Sequence, residues 1–214
     1  MGRDGTDTRE RLLDSAQHLF AREGIHQVPL KRIVQHAGQR NASALHYHYG
    51  DRDGLLHAII VRHDDRIQAE RKEMLDQIHA EGADGDLRRL VEALVIPFSH
   101  ELSTTSGREY LQIVSQLSVL FDFWDVDLPE GPTDTQQMFY AMHECMPDLN
   151  AALRHARIAT LLGLVTEALA SRARSVDNEP TVDPSLDDET FLMNLVDMAM
   201  GALLAPSTVP AASR

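Results

Sequence analysis

The chain has 214 residues, 43% hydrophobic and 25% charged, enough to bury a sizeable core and ordinary for a globular protein. A single cysteine, Cys145, excludes an intramolecular disulfide framework and a cysteine-based zinc module, and no apolar run approaches the roughly 18 residues that span a bilayer. The net charge of −13 speaks against a uniformly basic protein, but the charge is polarised. Residues 1–62 hold nine Lys/Arg against seven Asp/Glu, while the remainder holds eleven against twenty-six. The chain therefore reads as a mildly basic head on an acidic body. Its first residues lack the apolar core of a secretory signal, so a cytoplasmic location is expected.

In chain order the pattern is helical. Leu12, Leu13, Ala16, Leu19 and Phe20 recur at the spacing of one helix face. Asp7 with Glu10 is expected to cap this helix and Gly24 to stop it. Leu30, Ile33, Val34 and Ala37 predict a short second helix, with Pro29 at its first turn and Gly38 after it. A third short helix is expected over 42–49. The three helices can close a compact head around Leu13, Phe20, Ile33, Leu45 and Tyr49. A much longer helix, 53–80, follows from Leu55, Leu56, Ile59, Ile60, Ile67, Met74, Leu75 and Ile78. Residues 81–86 break it. Further amphipathic segments are expected at 86–103, 106–124, 134–146 and 148–173. Residues 175–186 read as a loop, 187–205 as a last helix, and 206–214 as a disordered tail. The fold class is all-α. The domains are a helix-turn-helix head over 1–52 and a larger helical domain over 53–205.

The chemistry lies in the head. A helix ending near Ala37, a glycine turn and a second short helix make a helix-turn-helix arrangement. The second helix has to be slim at its leading end to approach a major groove. Asn41 can cap it, Ala42, Ser43 and Ala44 are small, and His46, Tyr47 and His48 carry donors for bases or phosphates. The two histidines stand two apart and so lie on different sides. Lys31 and Arg40 are candidate phosphate contacts. The same aromatic cluster is also compatible with a core-facing patch.

Over about residues 8–60 the sequence resembles the TetR family. The resemblance is carried by the Ala37-Gly38 helix end and by Tyr47-His48-Tyr49-Gly50-Asp51-Arg52-Asp53-Gly54-Leu55. It implies a dimeric, ligand-responsive regulator whose head binds double-stranded operator DNA. Arg52 takes the place of a basic residue that holds phosphate, Tyr49 that of an aromatic packing the head, and Tyr47 that of a tyrosine reaching backbone or bases. The turn Gly38-Gln39-Arg40-Asn41 is one residue longer than the commonest family spacing. Val28-Pro29 replaces the usual hydroxyl cap of the second helix.

The resemblance also implies that the body binds a small-molecule effector. Leu117, Leu120, Phe121, Phe123 and Trp124, then Met138, Phe139, Met142, His143 and Met146, are rich in aromatics and flexible methionines that suit an apolar pocket. Phe121, Trp124, Phe139, Met142 and His143 are the candidate ligand residues; core packing explains them equally well. The helices at 148–173 and 187–205 are expected to form the homodimer interface. A ligand near Trp124 and Phe139 would tilt the helix 53–80 and respace the two recognition helices, releasing a repressor from a near-palindromic operator.

No nucleophile elbow, phosphate loop or His-Glu-x-x-His occurs, and His143 and Cys145, two apart, point in different directions on a helix. The reading is therefore not an enzyme, with no cofactor, no metal and no membrane partner. A helical protein-interaction module and a helical metal or redox enzyme are the alternatives.

Overall fold

The computed structural model describes residues 3–39, 41, 43–118, 133–177 and 186–209. Arg40, Ala42, Phe121, Trp124 and the end of the tail lie outside the described residues. All regular structure described is helical: α1 (Arg3–Glu23), α2 (Leu30–His36), α3 (Ser43–Tyr49), α4 (Arg52–Ala80), α5 (Leu87–Ser99), α6 (Thr105–Ser118), α7 (Asp134–Glu144), α8 (Ala151–Asp177) and α9 (Asp188–Leu204). A 3₁₀ turn at His100–Ser103 links α5 to α6. Among the described residues no helix is long and apolar enough to cross a membrane.

Two expectations are corrected at helix ends. Helix α1 begins at Arg3 rather than at an Asp7 cap. Asp7 sits inside the helix and pairs with Arg11 one turn on, at 3.3 Å, which supports the helix from its surface instead of capping it. Helix α8 runs on to Asp177, into the stretch expected as loop. The carboxylate of Asp177 is held there by Arg108 of α6 at 2.6 Å, a tertiary contact that local propensity does not encode.

Elsewhere the local chemistry explains the boundaries. Gly24, Gly38, Gly50 and Gly82 all adopt positive φ, and they stop α1, α2, α3 and α4 respectively. Pro29 precedes α2 in extended geometry with no side-chain cap bond, so its fixed φ stands in for a hydroxyl. The side chain of Asp51 accepts from the Gly54 amide at 3.0 Å and starts α4. Thr133 and Gln136 form a reciprocal capping box at the start of α7.

Burial divides the chain into two apolar clusters. The first gathers Leu12, Leu13, Ala16, Leu19 and Phe20 of α1 with Ile33, Val34 and Leu45, and extends to Leu55, Ile59 and Ile67 of α4. It also takes in Tyr110 and Ile113 of α6, so the head is packed on the body and does not hang from a linker. The second cluster fills the space between α5, α7, α8 and α9. Helix α6 crosses between the clusters and connects closely to α1.

Gly107 shows how closely the start of α6 packs on the 3₁₀ turn before it. A Cβ there would lie 2.2 Å from the Glu101 carbonyl oxygen, a backbone atom that cannot simply swing away. Gly107→Ala is expected to cost about 1–3 kcal/mol by overpacking. Urea unfolding checks this, and a midpoint equal to that of the unchanged chain would refute it.

Candidate functional site

The head presents one outward face. Ser43, His46 and Tyr47 are exposed on α3, and Tyr47 is 84% accessible. An aromatic side chain so fully in water is no part of its own chain's core. Asn41 is exposed and its Oδ1 accepts from the Ser43 amide at 2.9 Å, which holds the start of α3. His46 Nδ1 meets the Gly50 carbonyl oxygen at 2.8 Å and leaves the other ring nitrogen outward. His48 is half-buried, with its ring 5.0 Å from Tyr47 and 6.3 Å from Tyr49. Lys31 is exposed on the first turn of α2 and makes no ion pair among the described residues.

Two of the expected contacts face inward. Ala44 packs against the head cluster, because Leu45 and Ala44 together form the inner side of this short helix. Arg52 is turned away from the α3 face. Its Nη2 donates to Val28 O at 2.8 Å, its Nη1 donates to Ile25 O, and its guanidinium lies 5.6 Å over the Phe20 ring. The loop between α1 and α2 leaves carbonyls that no helix satisfies, and Arg52 satisfies two of them. Tyr49 packs in the head as expected, with its hydroxyl donating to Arg9 O at 2.9 Å. Helix α2 is closed by Gln39 N, which donates to Val34 O at 2.9 Å.

Behind this face, polar side chains stitch α1 to α6. Gln17 Nε2 donates to Ser106 O at 2.8 Å and to its Oγ at 2.7 Å. His18 Nδ1 meets Glu109 at 2.7 Å. The Ile25 amide donates to Gln116 Oε1 at 2.9 Å, and Gln116 Nε2 donates to Phe20 O at 3.2 Å. His63 of α4 meets Glu101 Oε2 at 2.8 Å, and Arg66 pairs with the other carboxylate oxygen. Sequence reasoning missed this seam, since its partners stand some 35 to 96 positions apart.

In the body, Phe139 and Met142 are buried with Met138 and Met146 in the second apolar cluster. His143 is not gathered with them; it lies half-exposed beside Glu144 and Arg154. One residue of the body interior was overlooked. Arg71 is 1% exposed and heads the fully buried side chains by volume. Its Nε donates to Ala93 O at 3.2 Å, and its Nη1 donates to Gln68 Oε1 at 3.1 Å and Thr135 Oγ1 at 3.0 Å. Ala93 needs that donor because Pro97, four residues on inside α5, has no N–H to give. The remaining nitrogen, Nη2, is buried without a hydrogen-bond partner. Burial pulls the guanidinium below its ordinary value, while Asp64 and Tyr110 act to raise it. An arginine stays protonated in such a setting, and burying an unpaired charge costs several kcal/mol, as an order of magnitude. The signal was present in the sequence: Arg71 interrupts the apolar stripe of Ile67, Met74, Leu75 and Ile78.

Rings connect this residue to the seam. The Arg71 guanidinium lies 5.4 Å from the Phe98 ring centre, Phe98 lies parallel to Tyr110 at 6.4 Å, and Tyr110 stacks on His63 at 4.4 Å. His63 in turn reaches Gln17 of α1 at 3.4 Å.

Comparison with known proteins bears on the same elements. A family model described as bacterial regulatory proteins, tetR family, matches residues 12–59, from α1 into α4. The HTH-type transcriptional regulator UidR of Escherichia coli strain K12 is 28% identical over 203 residues, which cover 95% of this chain and 83% of that protein. UidR of Shigella flexneri is similar to the same extent. Among solved structures, a TetR-family regulator from Streptomyces coelicolor A3 is 21% identical with a TM-score of 0.44, over 92% of this chain and 95% of its own. A SmeT–triclosan complex is 21% identical with a TM-score of 0.47, over 97% and 99%.

The seam yields a pH prediction. Burial raises the Glu101 carboxyl, but hydrogen bonds and charge from His63 and Arg66 outweigh it and hold the group below its ordinary value of 4.5. A depressed folded-state value gives stability that is complete above the unfolded value and is lost as pH falls through the folded one. Glu101→Gln is expected to cost about 1–3 kcal/mol at neutral pH. It should also flatten the loss of stability below about pH 4.5. Urea midpoints across pH check both; an acid limb as steep in the variant as in the parent would contradict the assignment.

Proposed function

We propose that the chain is a regulator of the tetR type, the family whose model matches residues 12–59, and that it acts as a dimeric repressor released from a near-palindromic operator by a small molecule. The observation that carries the DNA-reading part is the outward face of α3. Ser43, His46 and Tyr47 stand in water on a slim helix whose other side is locked into the head, and Asn41 stands beside them. Such a face fits a major groove, with Tyr47 and His46 reaching base edges or phosphates and Lys31 of α2 on the backbone. His48, half-buried, steadies Tyr47. Arg52 acts as a brace that fixes the α1–α2 loop against α4 and so sets the pose of the reader. Arg40 retains its role as a candidate phosphate contact.

The dimer reading rests on α8 and α9. Helix α9 leaves Met193, Met198 and Leu204 each more than half exposed, beside exposed Gly201. Large apolar side chains lined along one helix suit a partner surface. Two heads on a two-fold axis would read half-sites about one helical turn, or a multiple of it, apart. Effector release is supported by the routes from body to head: α4 is continuous with both, and α6 joins α1 through the seam. Helix α6 also leads in sequence to Phe121 and Trp124, which remain candidate ligand contacts with Phe139.

The test is recovery and sequencing of fragments bound by the purified protein from genomic DNA of its source. Enrichment of one or a few near-palindromic sites is the expected result; no enrichment at low salt with an intact dimer would overturn the reading. On the recovered site, Tyr47→Ala is expected to weaken binding about tenfold or more, consistent with loss of a groove contact. Lys31→Ala should lower affinity across all sequences and reduce the slope of log affinity against log salt by about one. A salt slope unchanged by Lys31→Ala would remove that residue from the phosphate contacts.

A further inference from the structure

Arg71 carries more than its structural duties require. Covering the Ala93 carbonyl needs one donor, and tying α4 to Thr135 on the first turn of α7 needs another. A neutral side chain could supply both. The structure instead buries a full positive charge and leaves both protons of Nη2 unused. The acidic group whose field it feels, Asp64, makes no ion pair with it and is bonded to Gln68 Nε2 at 2.9 Å. Gln68 in turn accepts from both Thr135 Oγ1 and Arg71 Nη1, so its oxygen is engaged on the protein side. No other polar group among the described residues is set to meet Nη2.

We propose that Arg71 is the anchor for an anionic effector: a small molecule with a carboxylate on an otherwise apolar frame. This rests on the effector reading above and supplies the ligand's chemical class. The carboxylate meets Nη2 of Arg71 and accepts from its two unused protons. The apolar frame lies against Phe98, which already faces the guanidinium, and against the α7 side that carries Met138 and Phe139. A charge-assisted bond there removes the penalty of an unpaired buried cation, so the liganded body is favoured over the empty one. Phe98, Tyr110 and His63 then lead from the occupied arginine to Gln17 in the head.

The test uses thermal unfolding of the full-length protein without DNA, so that it does not depend on operator binding. Matched pairs serve as probes: benzoate with benzamide, phenylacetate with phenylacetamide, and hexanoate with hexanamide, each at about 10 mM, well above a millimolar Kd. At least one acid is expected to raise Tm by about 2–4 °C or more while its amide does not. Arg71→Gln, which keeps donors but removes the charge, should abolish that difference, and Arg71→Lys should retain part of it. No shift with any acid, equal shifts within each pair, or an acid preference that survives in Arg71→Gln would each overturn the proposal. Should Arg71→Gln fail to fold, the acid-against-amide comparison on the unchanged protein still decides. Failure here with specific operator binding intact would reject the anionic effector and leave the regulator standing; acid-specific stabilisation without operator binding would do the reverse.

Discussion

Helix α1 is held by two neighbours at once, and most of the architecture follows from that double attachment. Its apolar stripe closes the head against α2, α3 and the start of α4. Its polar flank is spent on α6 through Gln17, His18 and the Phe20 carbonyl. Buried polar bonds of this kind are directional, and a half-made set costs more than an apolar contact would. The head therefore has a defined pose on the body. Under the proposed function pose matters, because a small rotation of each head in a dimer would change the span between two readers.

The same logic governs the interior of the body. Pro97 removes a donor from α5, and the chain repairs the loss by sending Arg71 across from α4. A proline and an arginine, each unfavourable alone in a packed core, satisfy each other in part. The remainder, one buried nitrogen of a cation, is a local imbalance in a core that is otherwise apolar. Such imbalances persist where they serve a task, since a neutral donor would have been less costly for folding alone. The Arg71 guanidinium lies against the Phe98 ring, and Phe98, Tyr110 and His63 follow one another from there to Gln17 of α1.

Much of this was legible along the chain. The stripe of Leu12, Leu13, Ala16, Leu19 and Phe20 and the glycine stops are local features whose spacing predicts helices and their ends, and the tyrosine-histidine run before Gly50 carries the family resemblance. Phe139 and Met142 were legible as buried but not as anything more, because a pocket lining and a core filling use the same residue types. Asp7 misled, since an acid near a helix start and an acid one turn inside it look alike in sequence.

What the sequence determined by itself is most of the helical elements, with a resemblance to the TetR family over the head: helix periodicity and stop signals act within a few residues and need no distant partner. What the tertiary structure alone decided is the use of individual polar side chains. Arg52 reads in sequence as a cation for phosphate, yet its carbonyl partners lie in the loop before α2 and bring it inward. Arg71 reads as an oddity in an apolar stripe, and its meaning depends on a proline 26 residues later and a threonine on α7. Hydrogen bonds are settled by which groups arrive within about 3 Å of each other, and that is a property of packing rather than of spacing along the chain.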